Sequence, residues 1–246
     1  MPIIYLSPST QEFNYYVNGG TEEYYMNLLA DKMVPYLDAS GIRYSRNTPD
    51  MTAASSIAAS NAGNYDLHFA LHSNAAAGEQ AGKAKGSIVF YYPTSVPGKR
   101  AAELVADALK TIYPDPNLVR TQSTTTLGEV AKVRAPGILL ELAFHDNPED
   151  AAWIKNNLDE VARILVLALT EYFDIPFFET ENRRSGVVDV NWGKLNIRAR
   201  PTTESSILAQ APDGAPITIL NTANGWHLVN FNGTIGYANA DYITLL

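Results

Sequence analysis

The sequence predicts an α/β layered sheet with helices on both faces, followed by a small C-terminal all-β barrel. Two observations carry this. Through residue 173, short apolar strand-like runs alternate with longer runs of helical period, the pattern of a layered α/β sheet. After a polar stretch, residues 179–186, the chain changes to short strands separated by Pro-Asp-Gly, Asn-Gly and Asn-Gly punctuation, the pattern of a small β module. The expected organisation is therefore 1–178, a linker over 179–186, and 187–246.

Each element follows from its own residues. Residues 3–6 are short, apolar and bounded by Ser7-Pro8, a strand. Residues 24–37 carry Met26, Leu29, Met33 and Leu37 at helical spacing, with Gly41 just past the end as a stop. Residues 42–45 read as a strand, and 51–62, rich in Ala and Ser, as a helix with Thr52 as a candidate N-cap. Residues 67–71 and 87–92 are strands. Residues 100–113 form an amphipathic helix closed by Pro114 and Pro116. Residues 137–142 are an apolar strand, and 148–173 read as two closing helical segments. In the last part, 195–200, 217–221, 226–231 and 236–238 are strands, with Trp226 and Tyr237 expected to fill a thin core. His227 reads as a strand residue facing solvent.

Composition excludes several classes of function. The chain has 246 residues, 18 basic and 26 acidic, for a net charge of -8. That balance argues against a nucleic-acid partner, which needs a basic face. There is no cysteine, which removes disulfides, thiolate nucleophiles and Cys-bound zinc. A metal must therefore sit on His, Asp or Glu, and there are four histidines. No apolar run reaches a membrane-spanning length. The residues after Met1 contain no basic segment and no cleavage-like site, so no signal peptide is expected. From residue 186 onward there are three basic and four acidic residues, so nearly all the negative charge lies in the first part.

Three segments bear chemistry. Residues 66–75, DLHFALHSNA, end a strand in His72. Glu22-Glu23-Tyr-Tyr-Met-Asn27 begins a helix after Asn18-Gly19-Gly20. Residues 137–149, GILLELAFHDNPE, place Glu141 inside an apolar strand, where an ionised carboxylate is costly. Ligands bind beyond the carboxyl ends of strands in open α/β sheets, so these segments can converge on one cleft. His68 and His72 share a strand face, but four residues at about 3.3 Å each separate them by about 13 Å. They cannot hold the same metal.

Together these segments resemble the zinc-dependent N-acetylmuramoyl-L-alanine amidases over roughly residues 2–173. The Glu23/Asn27 pair matches that family's ligand Glu four residues before an Asn. Ala70-Leu-His72-Ser-Asn74-Ala75 matches its Ser-x-His-x-Asn-Ala strand end, and Leu140-Glu141-Leu-Ala-Phe144-His-Asp-Asn147 its catalytic Val-Glu-x-Gly-Phe-x-x-Asn segment, with Ala143 for Gly. One feature departs: the family's Asp-Pro-Gly-His turn reads Ser7-Pro8-Ser9-Thr10-Gln11 here, and no histidine precedes His68. The resemblance implies zinc on Glu23 and His72, and Glu141 as general base. The third position falls to Gln11 or Glu12 in the altered turn, to His145 as ligand or substrate contact, or stays empty. Such a site joins a metal-activated water to a carboxylate that moves its proton.

Residues 187–246 resemble bacterial SH3-like domains through Leu195-Asn-Ile-Arg-Ala-Arg-Pro, Asn224-Gly225-Trp226 and Gly233-Thr-Ile-Gly-Tyr237. The implied partners are peptidoglycan and its stem peptides. The whole reads as a hydrolase of the amide between N-acetylmuramic acid and L-alanine, acting at the cell wall or outside the cell by an export route that the sequence leaves open. Two alternatives stand beside it: a metal-free wall-binding scaffold of the same fold, and a zinc peptidase with another peptide substrate.

Overall fold

A computed structural model describes residues 1–179 and 183–246. Within the expected linker 179–186, residues 180–182 lie outside the described residues, and from Arg184 the chain is already strand. By internal contacts the chain falls into two units. One comprises Pro2–Val34 and Tyr44–Tyr172; the other comprises Met1, Pro35–Arg43 and Phe173–Leu246. Ala39 and Phe178 belong to the same apolar cluster as Leu220, Leu228 and Tyr237.

The first unit is built on a six-stranded sheet. Its elements are β1 (Ile3–Pro8), α1 (Glu22–Ala39, of which the unit keeps the residues through Val34), β2 (Arg43–Arg46, from Tyr44), α2 (Ala53–Ala62), β3 (Leu67–Asn74), β4 (Ile88–Tyr91), α3 (Val96–Lys110), β5 (Arg120–Ser123), α4 (Gly128–Ala131), β6 (Gly137–Phe144) and α5 (Pro148–Phe173). The strand order is β2-β1-β3-β6-β4-β5. Strands β1, β3 and β6 run parallel, and β4 pairs antiparallel with β6, so the expected layered sheet is mixed. The most apolar strands lie at its centre. Ile4, Leu6, Phe69, Leu71, Leu140 and Leu142 are fully buried, as expected for strands covered on both faces.

Three expectations change. Residues 148–173 form one helix of 26 residues, with Asn157 bonding back to the Trp153 carbonyl at 2.7 Å rather than breaking the chain. Helix α3 starts at Val96, four residues early, because Ser95 accepts the Gly98 N–H at 3.1 Å as an N-cap. Strand β5 has no counterpart among the expected elements, because its Arg-Thr-Gln-Ser sequence is polar and mostly exposed at a sheet edge. The N-cap expected at Thr52 is present, with a capping box to Ser55.

The second unit carries a seven-stranded antiparallel sheet ordered β13-β7-β10-β11-β12-β8-β9. Its strands are β7 (Arg184–Val188), β8 (Lys194–Arg198), β9 (Ile207–Pro212), β10 (Pro216–Ala223), β11 (Trp226–Phe231), β12 (Thr234–Asn239) and β13 (Ile243–Leu245). Both Asn-Gly pairs form two-residue hairpin loops. Ala223 faces Trp226 and Phe231 faces Thr234 across them, and all four loop residues have positive φ, as a type I′ turn requires. Tyr237 is buried, and half-buried Trp226 packs on its cluster. His227 does not face solvent. It is buried and bonds the Thr222 hydroxyl at 2.6 Å.

Candidate active site

The site forms where β3 and β6 end side by side. Their parallel register sets His72 directly opposite Glu141. Beyond that pair β6 gains a residue, so that Asn74 faces Phe144, and Ala143 takes a positive φ of 72°. This is a bulge. It explains why glycine suits position 143: a Cβ there is strained.

Helix α1 delivers a carboxylate to His72, and that carboxylate belongs to Glu22. Its Oε1 lies 2.7 Å from His72 Nδ1, and its Oε2 accepts from Asn14 Nδ2 at 2.6 Å. Glu22 is buried, on the same face as Met26, Leu29, Met33 and Leu37. Glu23, expected here, is one residue and about 100° further round the helix and is only half-buried. Extending the apolar stripe of α1 back one turn would have found Glu22.

The other nitrogen of His72 meets Glu129, which sequence reasoning missed. Glu129 Oε2 is 3.0 Å from His72 Nε2. Its Oε1 accepts a short hydrogen bond from the Ser7 hydroxyl and lies 3.3 Å from His68 Nε2, off the line of a good hydrogen bond. A lone Glu in the one-turn helix α4 gives no periodic signal. Burial works against charge on His72. The hydrogen bonds to Glu129 and Glu22 and their negative fields outweigh it, raising His72 to about 10. Burial likewise opposes charge on Glu129, yet the two histidine rings beside it, His68 and His72, hold it down to about 2. Glu22 is also lowered, burial being outweighed by its bond to His72.

Glu141 differs from both. Its residue keeps some exposed surface, but its Oε2 is closed off from solvent and has no hydrogen-bond partner. Burial pushes its carboxyl up to about 7; the positive His72 pulls it down and Glu22 pushes it further up. Arg134, a conceivable partner, instead bonds Asn61. A carboxyl poised near neutrality beside His72 suits a general acid–base.

Among the alternatives for the third position, Gln11 is the one beside His72, its amide nitrogen 3.4 Å from Nδ1. Glu12 is exposed and is not among the partners of His72. His145 is buried but turned elsewhere: its Nδ1 donates to the Ser73 carbonyl at 2.8 Å, and its ring stacks on Tyr16. A cavity of about 430 Å³ opens beside His72 and Glu129, with Gln11, Phe13, Asn47 and Met51 in its wall.

Among the described residues no three His, Asp or Glu side chains come together as a metal cage. A histidine nitrogen and a carboxylate oxygen, donors of the kind zinc takes, nevertheless meet there. Nδ1 of His72 and Oε1 of Glu22 converge, with the Gln11 amide nitrogen beside them and the Gln11 oxygen accepting from Asn14 at 3.0 Å. A carboxylate on the far nitrogen of a ligating histidine is also the usual support for such a ligand.

Comparison with known proteins gives the family and the fold. The sequence profile of the family described as N-acetylmuramoyl-L-alanine amidase matches residues 10–171, and that of the bacterial SH3 domain matches 193–244. The fold is similar to N-acetylmuramoyl-L-alanine amidase AmiC2 of Nostoc punctiforme, at 15% identity over 70% of this chain and 97% of that one, with a TM-score of 0.62. The catalytic domain of CwlV, an amidase from Bacillus (Paenibacillus) polymyxa var. colistinus, matches at 14% identity over 72% and 100% of the two chains, TM-score 0.62. The catalytic domain of the CD27L endolysin targeting Clostridia difficile matches at 21% identity over 70% and 98%, TM-score 0.58. No curated protein matches this chain.

Proposed function

Because this chain belongs to the N-acetylmuramoyl-L-alanine amidase family, enzymes that cleave peptidoglycan, we propose that it hydrolyses the amide joining N-acetylmuramic acid to L-alanine, with Glu141 as general base. The observation carrying this is the pairing of His72 with Glu141, whose Oε2 has no hydrogen-bond partner and whose carboxyl burial pushes up to about 7. Glu141 takes a proton from the attacking water and passes it to the leaving amine. His72, Glu22 and the Gln11 amide are the residues that would hold zinc. When bound, the metal supplies an acidified water and polarises the scissile carbonyl. The cavity beside His72 receives the substrate. The test is release of stem peptide from muropeptides by the full chain, together with its zinc content. Amide cleavage with Glu141→Gln fully active sinks the assignment of the base.

Glu22 and Glu23 are separable. Zinc titration by calorimetry should show Glu22→Gln weaker than wild type by at least about tenfold and Glu23→Gln nearly unchanged. The reverse order would return the ligand role to Glu23.

Action at the cell wall fits the bacterial SH3 match. Among the described residues no helix is long and apolar enough to cross a membrane. Wall binding by the second unit is supported by a groove of about 580 Å³ on that unit, walled by Trp192, Trp226, Tyr242, Lys194 and Arg198, with no acidic residue in its lining. Trp192 is 89% exposed. Aromatic faces and two cations suit sugar rings and peptide carboxylates. Trp192→Ala should weaken binding to intact sacculi about tenfold and leave turnover of soluble muropeptides unchanged; equal sacculus binding overturns the targeting role. A point substitution is the sharper probe here. Truncation after residue 178, expected from the sequence to leave an active fragment, strips Phe178 and Ala39 of Leu228 and Tyr237.

The metal-free scaffold keeps one observation in its favour: Glu22 and Glu129 already occupy both ring nitrogens of His72. Sacculus binding without zinc uptake or amide cleavage would select it.

A further inference from the structure

We infer that Glu129 is a positioning residue for His72, and that His68, from deep in the core, acts on the same site through that carboxylate. This rests on the proposal that His72 is a metal ligand. Strand geometry keeps His68 and His72 from sharing an ion, but it does not keep them from sharing a carboxylate. Glu129 lies between them, one oxygen on His72 Nε2 at 3.0 Å and the other 3.3 Å from His68 Nε2.

The carboxylate is fixed from several directions. Ser7 on β1 donates to Oε1, and Ser7 Oγ in turn receives Asn47 Nδ2 at 3.3 Å. His68 is itself immobilised. Its Nδ1 bonds Ser60 Oγ at 2.9 Å, and its ring stacks on Tyr5 at 5.4 Å and 13°. Its Nε2 is buried and without a well-aligned hydrogen bond, and the charged group it faces is the Glu129 carboxylate at 3.3 Å. Glu129 and His68 are almost wholly buried, at 6% and 0% exposure.

The consequence for His72 is directional. An ionised carboxylate can only accept, so Glu129 fixes a proton on His72 Nε2. Glu22 holds a second proton on Nδ1 in the metal-free protein; a metal bound at Nδ1 would take that proton's place, while Glu129 keeps the Nε2 proton and so aims Nδ1 toward Glu22 and Gln11. Without Glu129 the ring is free to take the other tautomer or to turn, and the donor set loses its aim. His68 and Ser7 keep the carboxylate from swinging away. Outer partners of this type usually change metal affinity by about 10- to 100-fold.

The test is zinc titration by calorimetry on the full chain, as wild type, Glu129→Gln, His68→Asn and the double variant, with metal-free melting of each. Glu129→Gln should bind zinc about 10- to 100-fold more weakly, and His68→Asn about 3- to 10-fold more weakly. In the Glu129→Gln background the His68 change should add nothing, because it acts through that carboxylate. A general loosening of the core would instead make the two losses add. Unchanged affinity in Glu129→Gln, or additive losses, overturns the inference while leaving the function reading intact. If Glu129→Gln does not fold, His68→Asn decides alone, since it touches none of the three donors; unchanged zinc affinity there overturns it. A wild type that takes up no zinc overturns both readings.

Discussion

Replacing Glu141 by Gln is expected to lower amide hydrolysis by about 10²-fold or more while raising stability at alkaline pH. The first effect comes from removing the proton acceptor without changing shape. The second comes from the position of the carboxyl. Burial, opposed by His72 and assisted by Glu22, sets it near 7, against an ordinary value of 4.5. A folded-state value above the unfolded one means that the stability it contributes is fully present below about pH 4.5 and is lost as pH rises through about 7. Wild type and Glu141→Gln should therefore melt together near pH 4. They should diverge above it, with Gln the more stable at pH 8 by on the order of 3 kcal/mol, a rise of several degrees. The acid limb of wild-type activity should lie at or below about pH 7, since a bound cation pulls a neighbouring carboxyl down. Parallel melting curves at pH 4 and 8, or turnover at the wild-type rate, would make Glu141 an ordinary strand residue.

Replacing His72 by Ala should abolish measurable zinc binding, an affinity loss above about 10²-fold, and should also destabilise the metal-free protein. His72 is the shared partner of two buried carboxylates, and leaving such charges unpaired costs about 3–5 kcal/mol. The pH dependence has a definite sign. His72 is raised to about 10 from 6.5, so its contribution is full below about pH 6.5 and fades as pH rises through about 10. Glu22 and Glu129 are lowered from 4.5, so theirs is present above about pH 4.5 and is lost on acidification. The melting difference between wild type and His72→Ala should accordingly be largest between about pH 4.5 and 6.5. A difference independent of pH, or a stoichiometric zinc site surviving in His72→Ala, would show that the network is drawn wrongly.

How far the sequence reaches depends on whether a feature is periodic. Strands β1, β3 and β6 are apolar runs, and the Asn-Gly hairpins carry their own turn chemistry, so both are legible. His72 and Glu141 are legible because each ends or interrupts such a run with a costly polar group. Strands β5 and β9 are edge-like and largely exposed, and leave no alternation to detect. Glu22 and Glu23 are neighbours in a first helical turn, where helix-dipole complementation makes either ordinary; only the phase of the buried stripe separates them. Glu129 is legible from neither rule. Its role arises from three contacts, to residues 7, 68 and 72, brought together by tertiary structure alone.

The added residue in β6 after Glu141 has a consequence for how such a site can vary over generations. From the His72–Glu141 pair to the Asn74–Phe144 pair, β3 advances two residues and β6 three, so a single deletion between Glu141 and Phe144 would restore ordinary alternation and leave Phe144 on its present face. Phe144 and His145 are buried, and Asp150 accepts both the Gly86 and Phe144 amides at 3.0 Å. Substitutions at position 143 are therefore matters of degree, with glycine relieving the left-handed backbone and larger residues adding to its strain. Loss of one residue at the same place removes the bulge itself and with it the left-handed backbone. Lineages descending from such a chain should therefore carry small residues, glycine above all, wherever the added residue is kept.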